Sequence, residues 1–168
     1  MNTSALHKLS YGLYIVCSRK GDELNGQIAN SVMQLASEPP IISVCINKQN
    51  LTHEFISESK IFSASILYQD TPMTFIGRFG FRSGRNLDKL AGVDHISGST
   101  GAPVVTENTV AYLEVRVTNQ VDVKTHTLFI GELVDADIIV EKPCMTYAYY
   151  HDVKQGKTPA TAPNYIKE

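Results

Sequence analysis

The chain has no tryptophan, three cysteines and no run of like charge. Without tryptophan, aromatic contact to a ligand falls to Tyr, Phe or His. Cys17, Cys45 and Cys144 match no zinc or iron–sulfur spacing, so they read as buried reduced thiols and no metal site is expected. Charged residues make up 19% and the formal net charge is −2, with no basic run, so nucleic-acid binding is not expected. The longest apolar runs, such as residues 39–46, are too short to cross a bilayer, and residues 1–10 contain no apolar signal core. A cytoplasmic protein that engages neither membrane nor nucleic acid is the expectation. What remains is 168 residues with 43% apolar content, enough for one domain with a real core.

Residues 11–18 favour a pleated surface and predict a strand, closed by a turn at Lys20-Gly21-Asp22. Residues 26–37 are ambiguous. Ile28, Val32, Leu35 and Ala36 fit one helical face, and the flanking turns equally permit a long bent strand. Pro39-Pro40 breaks any helix and opens an extended segment, with residues 41–46 as a strand apolar on both faces. Residues 52–59 predict a short helix with Thr52 as its N-cap and Glu54 in the first turn. Residues 61–68 alternate as a strand. Residues 71–79 predict a second helix with Pro72 at its first position, a pattern Gly77 weakens.

Residues 80–101 predict a long surface loop with one helical turn near residues 86–90. Residues 110–119 alternate strictly between apolar and polar, as a half-buried antiparallel strand does. Residues 126–140 form a second extended run in which Gly131 marks a bulge or a barrel corner. After the aromatic cluster of Tyr147, Tyr149 and Tyr150, residues 154–168 read as an extended tail following a domain of residues 1–153. Six or seven strands against two or three short helices predict a mainly β, closed or partly closed barrel.

The densest chemistry lies in residues 25–54. A polar cluster, a Pro-Pro corner, a strand and a helix start together suit a flat, anionic ligand, because a helix N-terminus offers backbone N–H groups to a phosphate. Lys48, Asn50 and Thr52 are the phosphate candidates; the alternative is an ordinary surface helix beside a solvated lysine. Read by themselves, Asn30 and Ser31 satisfy a bend beside the sheet.

Several stretches in order carry a resemblance: Asn25-Gly26, Ala29-Asn30-Ser31-Val32, Glu38-Pro39-Pro40, residues 44–48, Asn50-x-Thr52, Phe79-Gly80, Asp88-Lys89-Leu90 and residues 126–132. Over about residues 5–153 this set resembles the flavin reductase-like FMN-binding split-barrel family. The ending Met145-Thr146-Tyr147-Ala148-Tyr149-Tyr150-His151 is most similar to the flavin domains of high-molecular-weight rubredoxins and to flavoredoxin-like proteins. In the former the chain usually continues into a rubredoxin domain. Here it stops at Glu168 with no paired cysteines, so an iron centre receiving electrons is expected on another molecule.

The resemblance implies a six-stranded antiparallel Greek-key split barrel, a homodimer and FMN bound near the dimer interface. It makes residues 26–37 mostly strand. It implies that Asn30, Ser31 and Val32, with Asn25 a weaker candidate, line the flavin. Cys45, Ile46 and Asn47 would hold ring and ribityl chain mainly through backbone, and Lys48, Asn50 and Thr52 would take the phosphate. Lys89 would approach the flavin or its phosphate, with Arg78, Arg82 and Arg85 nearby in sequence as substitutes. His126 is the candidate catalytic residue: reductases of this family often carry Gly-Asp-His where this chain has Lys124-Thr125-His126.

The implied activity passes electrons from NADH, NADPH or a redox partner through FMN. The acceptor would be free flavin, a ferric complex, rubredoxin or a flavo-diiron protein. The departure at Lys124 and Thr125 leaves open an FMN-holding electron-transfer module with no nicotinamide site.

Overall fold

Strand β1 (Tyr14–Lys20) is buried on both faces through Ser18, and this explains its apolar run. Ile15 and Cys17 point one way, toward a cluster with Leu67, Phe75, Ile76, Phe79 and Tyr150. Val16 points the other way, into a cluster with Val44, Ile46, Phe62, Val115 and Phe129. The computed structural model describes residues 1–165. Its strands follow in chain order: β2 (Glu23–Ala29), β3 (Val32–Ser37), β4 (Pro40–Asn47), β5 (Ile61–Leu67), β6 (His95–Ser97), β7 (Pro103–Val105), β8 (Thr109–Val123) and β9 (His126–Ile138). Helix α1 (Leu51–Ser59) lies between β4 and β5, and α2 (Met73–Gly80) follows β5. Short turns of helix close the ends at Thr3–Lys8 and Tyr149–Val153.

Among the described residues, seven strands form one sheet in the order β2-β1-β5-β8-β9-β4-β3, and every neighbouring pair runs antiparallel. Val16 on β1 and Val44 on β4 share one core although three strands separate them in the sheet. Only a sheet curled into a barrel brings those strands onto one set of side chains. Ile56 of α1 enters the same core, and α2 covers the outer face of β1.

The ambiguous residues 26–37 resolve as strand, bend and strand: β2 and β3 meet at Asn30-Ser31 and form the two edges of the sheet. Counted as one bent strand they bring the sheet to the six of the split barrel. The helical reading of this segment fails because both halves are claimed by ladders, β2 by β1 and β3 by β4.

Several local expectations change. Cys144, read as a buried thiol, is exposed, and residues 95–97 of the expected loop pair with β7 as strand β6. Asn50, not Thr52, is the N-cap position of α1, and it makes no side-chain capping bond; Thr52 lies inside the first turn. Pro72 is the N-cap of α2 rather than its first helical residue. No helix forms at residues 86–90, where turns and bends carry the chain. The bulge expected at Gly131 lies on the facing strand: Val117 pairs with Gly131 and Asn119 with Ile130, so Thr118 is the extra residue. A Cβ on Gly131 would meet the Arg116 carbonyl oxygen at 2.2 Å, so the crowding at the bulge demands glycine opposite it.

Among the described residues no helix is long and apolar enough to cross a membrane.

Candidate functional site

β2 runs along the floor of a cleft of about 330 Å³. Asn25, Gln27, Ala29 and Asn30 line it from β2 and its bend, and Cys45 and Asn47 from β4. At one end stand Asn50, Leu51 and Thr52, the start of α1. The buried Asn25 Nδ2 donates to Thr52 Oγ1 at 2.7 Å, which ties that strand to the helix start. The Thr52 hydroxyl proton has no acceptor among the described residues and can be donated into the cleft. Leu13, Ile76, Phe79, Tyr147 and Tyr150 supply apolar walls.

The charge on the lining has one sign. Arg82, Lys89 and Lys157 line the cleft, and no aspartate or glutamate does among the described residues. Lys89 is buried, and its Nζ donates to the carbonyls of Gly26 at 2.9 Å and Phe79 at 3.2 Å. Burial pushes its pKa down to about 8. Beneath it burial pushes the Cys17 thiol up to about 12, so Cys17 stays a neutral thiol. Cys45, half-buried, is likewise raised by burial.

The loop after α2 closes one side. Gly84 lies so close over Asn25 that a Cβ there would meet Asn25 Oδ1 at 2.0 Å. Arg78 braces this loop by donating to the carbonyls of Asp88 and Ala91, and Arg85 pairs with Glu54 of α1. Arg82 is the arginine of the three that lines the cleft, and it forms no hydrogen bond or ion pair among the described residues.

Of the residues singled out from sequence, the structure brings Asn25, Asn30, Cys45, Asn47, Asn50, Thr52 and Lys89 to the cleft. Ser31 sits just outside, its hydroxyl donating to the Cys45 carbonyl at 3.0 Å and so holding the bend against β4. Val32 packs against the barrel core and Ile46 is buried within it. Lys48 is exposed, does not line the cleft, and pairs with Asp122 near the tip of the β8–β9 hairpin. His126, paired with Asn47 across β4 and β9, stands behind the wall. Its Nε2 donates to the Thr161 carbonyl at 3.2 Å. Its Nδ1 shares a hydrogen bond with the Thr125 hydroxyl at 2.8 Å.

Two contributions went unread in the sequence. Gln27 shares the cleft face of β2 with Asn25 and Ala29, an alternation visible once the segment is strand. Its Oε1, like Asn30 Oδ1, is buried without a hydrogen-bond partner among the described residues. The expected tail is the other. Residues 154–165 fold across the cleft, where Pro159, Thr161 and Pro163 form part of the lining. Residues 166–168 of that expected tail lie outside the described residues. No sequence pattern marks this return, because it depends on Tyr147 and Tyr150 bonding to Thr158 and to the Lys157 carbonyl.

The family model described as flavin reductase like domain matches residues 6–157. The high molecular weight rubredoxin of Moorella thermoacetica is 51% identical over 98% of this chain and 72% of its own length. The ferric-chelate reductase (NAD(P)H) of Archaeoglobus fulgidus is 50% identical over 99% of each chain. Among solved structures, the FMN-binding protein of Thermus thermophilus with bound 1-cyclohex-2-enone superimposes with a TM-score of 0.73 at 25% identity, over 80% of this chain and 74% of that one.

Proposed function

This chain belongs to the flavin reductase-like family, and from that membership we propose that its cleft binds FMN and draws electrons from NADH or NADPH. The protein is a flavin reductase-like oxidoreductase. The observation that carries the FMN reading is the lining itself: three cations, no carboxylate among the described residues, apolar walls, and two buried acceptors without donors. A flat ring with one N–H edge, joined through hydroxyls to a phosphate, satisfies each of those features. The name of the ferric-chelate reductase supports NAD(P)H as co-substrate, and that of the Thermus protein supports FMN.

Bound FMN would accept a hydride or single electrons and pass them on. The chain's residues do the rest. The start of α1, with Asn50 and Thr52, faces the phosphate, and Arg82 and Lys157 supply charge at the rim. Cys45 and Asn47 flank ring and ribityl chain, with Ser31 and Val32 shaping the bend from outside and Ile46 anchoring β4 in the core. Lys89, buried in the lining, is a cation that would stabilise negative charge on a reduced ring. Lys48 shapes the site only indirectly, by tying β4 to the hairpin tip that carries His126.

The acceptor is free flavin, a ferric complex or a redox protein such as rubredoxin or a flavo-diiron protein. We place the protein in the cytoplasm, as a homodimer. Met33 and Leu35 of β3 and Val134, Ile138, Ile139 and Val140 at the end of β9 and beyond expose apolar side chains, which supports a self-association face.

One observation favours the second reading, an electron-transfer module without a nicotinamide site. Both ring nitrogens of His126 are engaged within the chain, so as it stands the ring offers neither to a nicotinamide. The deciding experiment adds FMN to purified protein, removes excess, and then adds NADH or NADPH without oxygen. A retained yellow colour that bleaches with either nucleotide supports the first reading. Colour that bleaches only with a reduced redox protein supports the second, and folded protein that retains no FMN overturns both.

A further inference from the structure

Asn30 occupies the bend between β2 and β3, where it lines the cleft and is 4% exposed. Its Nδ2 donates to Asn164 Oδ1 at 2.7 Å. That bond uses one of the two amide N–H groups and turns the nitrogen toward Asn164. The acceptor side, Asn30 Oδ1, is buried without a partner among the described residues. A buried amide oxygen is costly unless something donates to it, and because Asn30 lines the cleft a donor on a ligand held there can meet it. Asn164 itself does not line the cleft, so whatever it does for a ligand it does through Asn30.

We infer that Asn164 is a positioning residue: by accepting the Asn30 amide proton it holds the Asn30 oxygen toward a ligand N–H. The inference rests on the flavin reading above and deepens it. On an oxidised isoalloxazine ring the N–H is at N3. The layout of the cleft assigns the ring to this end. Asn25 and Thr52, at the helix start suited to phosphate, lie at the other end of β2, and extended backbone from Asn25 to Asn30 covers about 16 Å.

The segment that carries Asn164 is held at several points. Tyr150 donates to the Lys157 carbonyl at 2.9 Å, Tyr147 shares a hydrogen bond with Thr158, and His126 donates to the Thr161 carbonyl. Residues 157–164 thus act as a strap that sets the polarity of the ring end. With both amides of the Asn30–Asn164 pair turned over, the same contact would instead present an NH2 group to the cleft and select an acceptor. The two arrangements respond oppositely to an acidic side chain at position 164, because a carboxylate only accepts.

The test compares dissociation constants for FMN and N3-methyl-FMN by flavin fluorescence, using the full chain and its Asn164→Leu, Asn164→Ala and Asn164→Asp variants. Circular dichroism confirms that each variant is folded. The wild type is expected to prefer FMN about tenfold, the scale of one buried hydrogen bond. Asn164→Asp keeps that preference, and its added charge cancels in the ratio. Asn164→Leu and Asn164→Ala reduce it to about threefold or less, because the freed Asn30 amide no longer holds its oxygen toward the ring. Wild-type ratios in the Leu and Ala variants, or a lost preference in the Asp variant, would overturn the inference. Equal binding of both flavins by the wild type overturns it while leaving the flavin reading in place. Uptake of neither flavin removes both.

Discussion

Lys89 shows how one side chain is set by surroundings its own sequence neighbours do not reveal. Asp88-Lys89-Leu90 marks the residue, but nothing local says that its ammonium group lies under β2 with only backbone carbonyls as partners. Burial lowers its pKa from 10.5 to about 8. Between those values the folded chain has released a proton that the unfolded chain still holds, so this group makes stability rise with pH across that window. Below about pH 8 both states are protonated and the burial penalty is constant. Comparing urea unfolding of the wild type and Lys89→Met from pH 7 to 10.5, the difference is expected to shift toward the wild type above about pH 8. A flat difference would mean that Lys89 keeps its ordinary pKa. An anionic ligand in the cleft stabilises the charged form, so loaded protein is expected to show the onset at higher pH.

At the level of elements, β8 was legible because strict alternation over residues 110–119 leaves one reading, and β9 was legible as a second extended run. The segment of residues 26–37 was not, because Ile28, Val32, Leu35 and Ala36 satisfy two periods and only the ladders to β1 and β4 choose between them. Two glycines separate local from tertiary control. Gly131→Ala drives a methyl into the Arg116 carbonyl across the β8 bulge, and a loss of about 1–3 kcal/mol is expected from urea unfolding. Gly77→Ala meets nothing within 4 Å in the middle of α2, and a gain of about 0.5–1 kcal/mol is expected by the same measurement. The opposite signs follow from the same added methyl group. A neutral Gly131→Ala would remove the crowding argument for the bulge.

For the whole molecule, the barrel brings both edges of the sheet to Asn30-Ser31, and the cleft opens where they part. The returning strap then completes the wall. Outside this site the exposed apolar side chains of β3 and β9 remain to be covered. Sedimentation is expected to give twice the chain mass, and Ile138→Glu, at a position 62% exposed, is expected to shift the protein toward monomer while its circular dichroism stays that of the folded chain. A monomeric wild type, or a dimer indifferent to the charge, would place the interface elsewhere or remove it.

The sequence by itself determined the mainly β architecture, the strands β1, β4, β5, β8 and β9 and the two helices, and its ordered resemblance to a family pointed to several of the polar side chains that line the cleft. The architecture is written in short-range periodicity, and the site residues in an ordered set of local motifs, both of which survive without knowledge of long-range contacts. Tertiary structure decided which candidates face the cleft: Ile46 lies in the core and Lys48 is bound to Asp122, whereas Lys89, though buried, is part of the lining. It also turned the expected tail into a wall. Those outcomes depend on contacts between residues far apart in the chain, such as Asn30 with Asn164, whose geometry exists only once the sheet has curled.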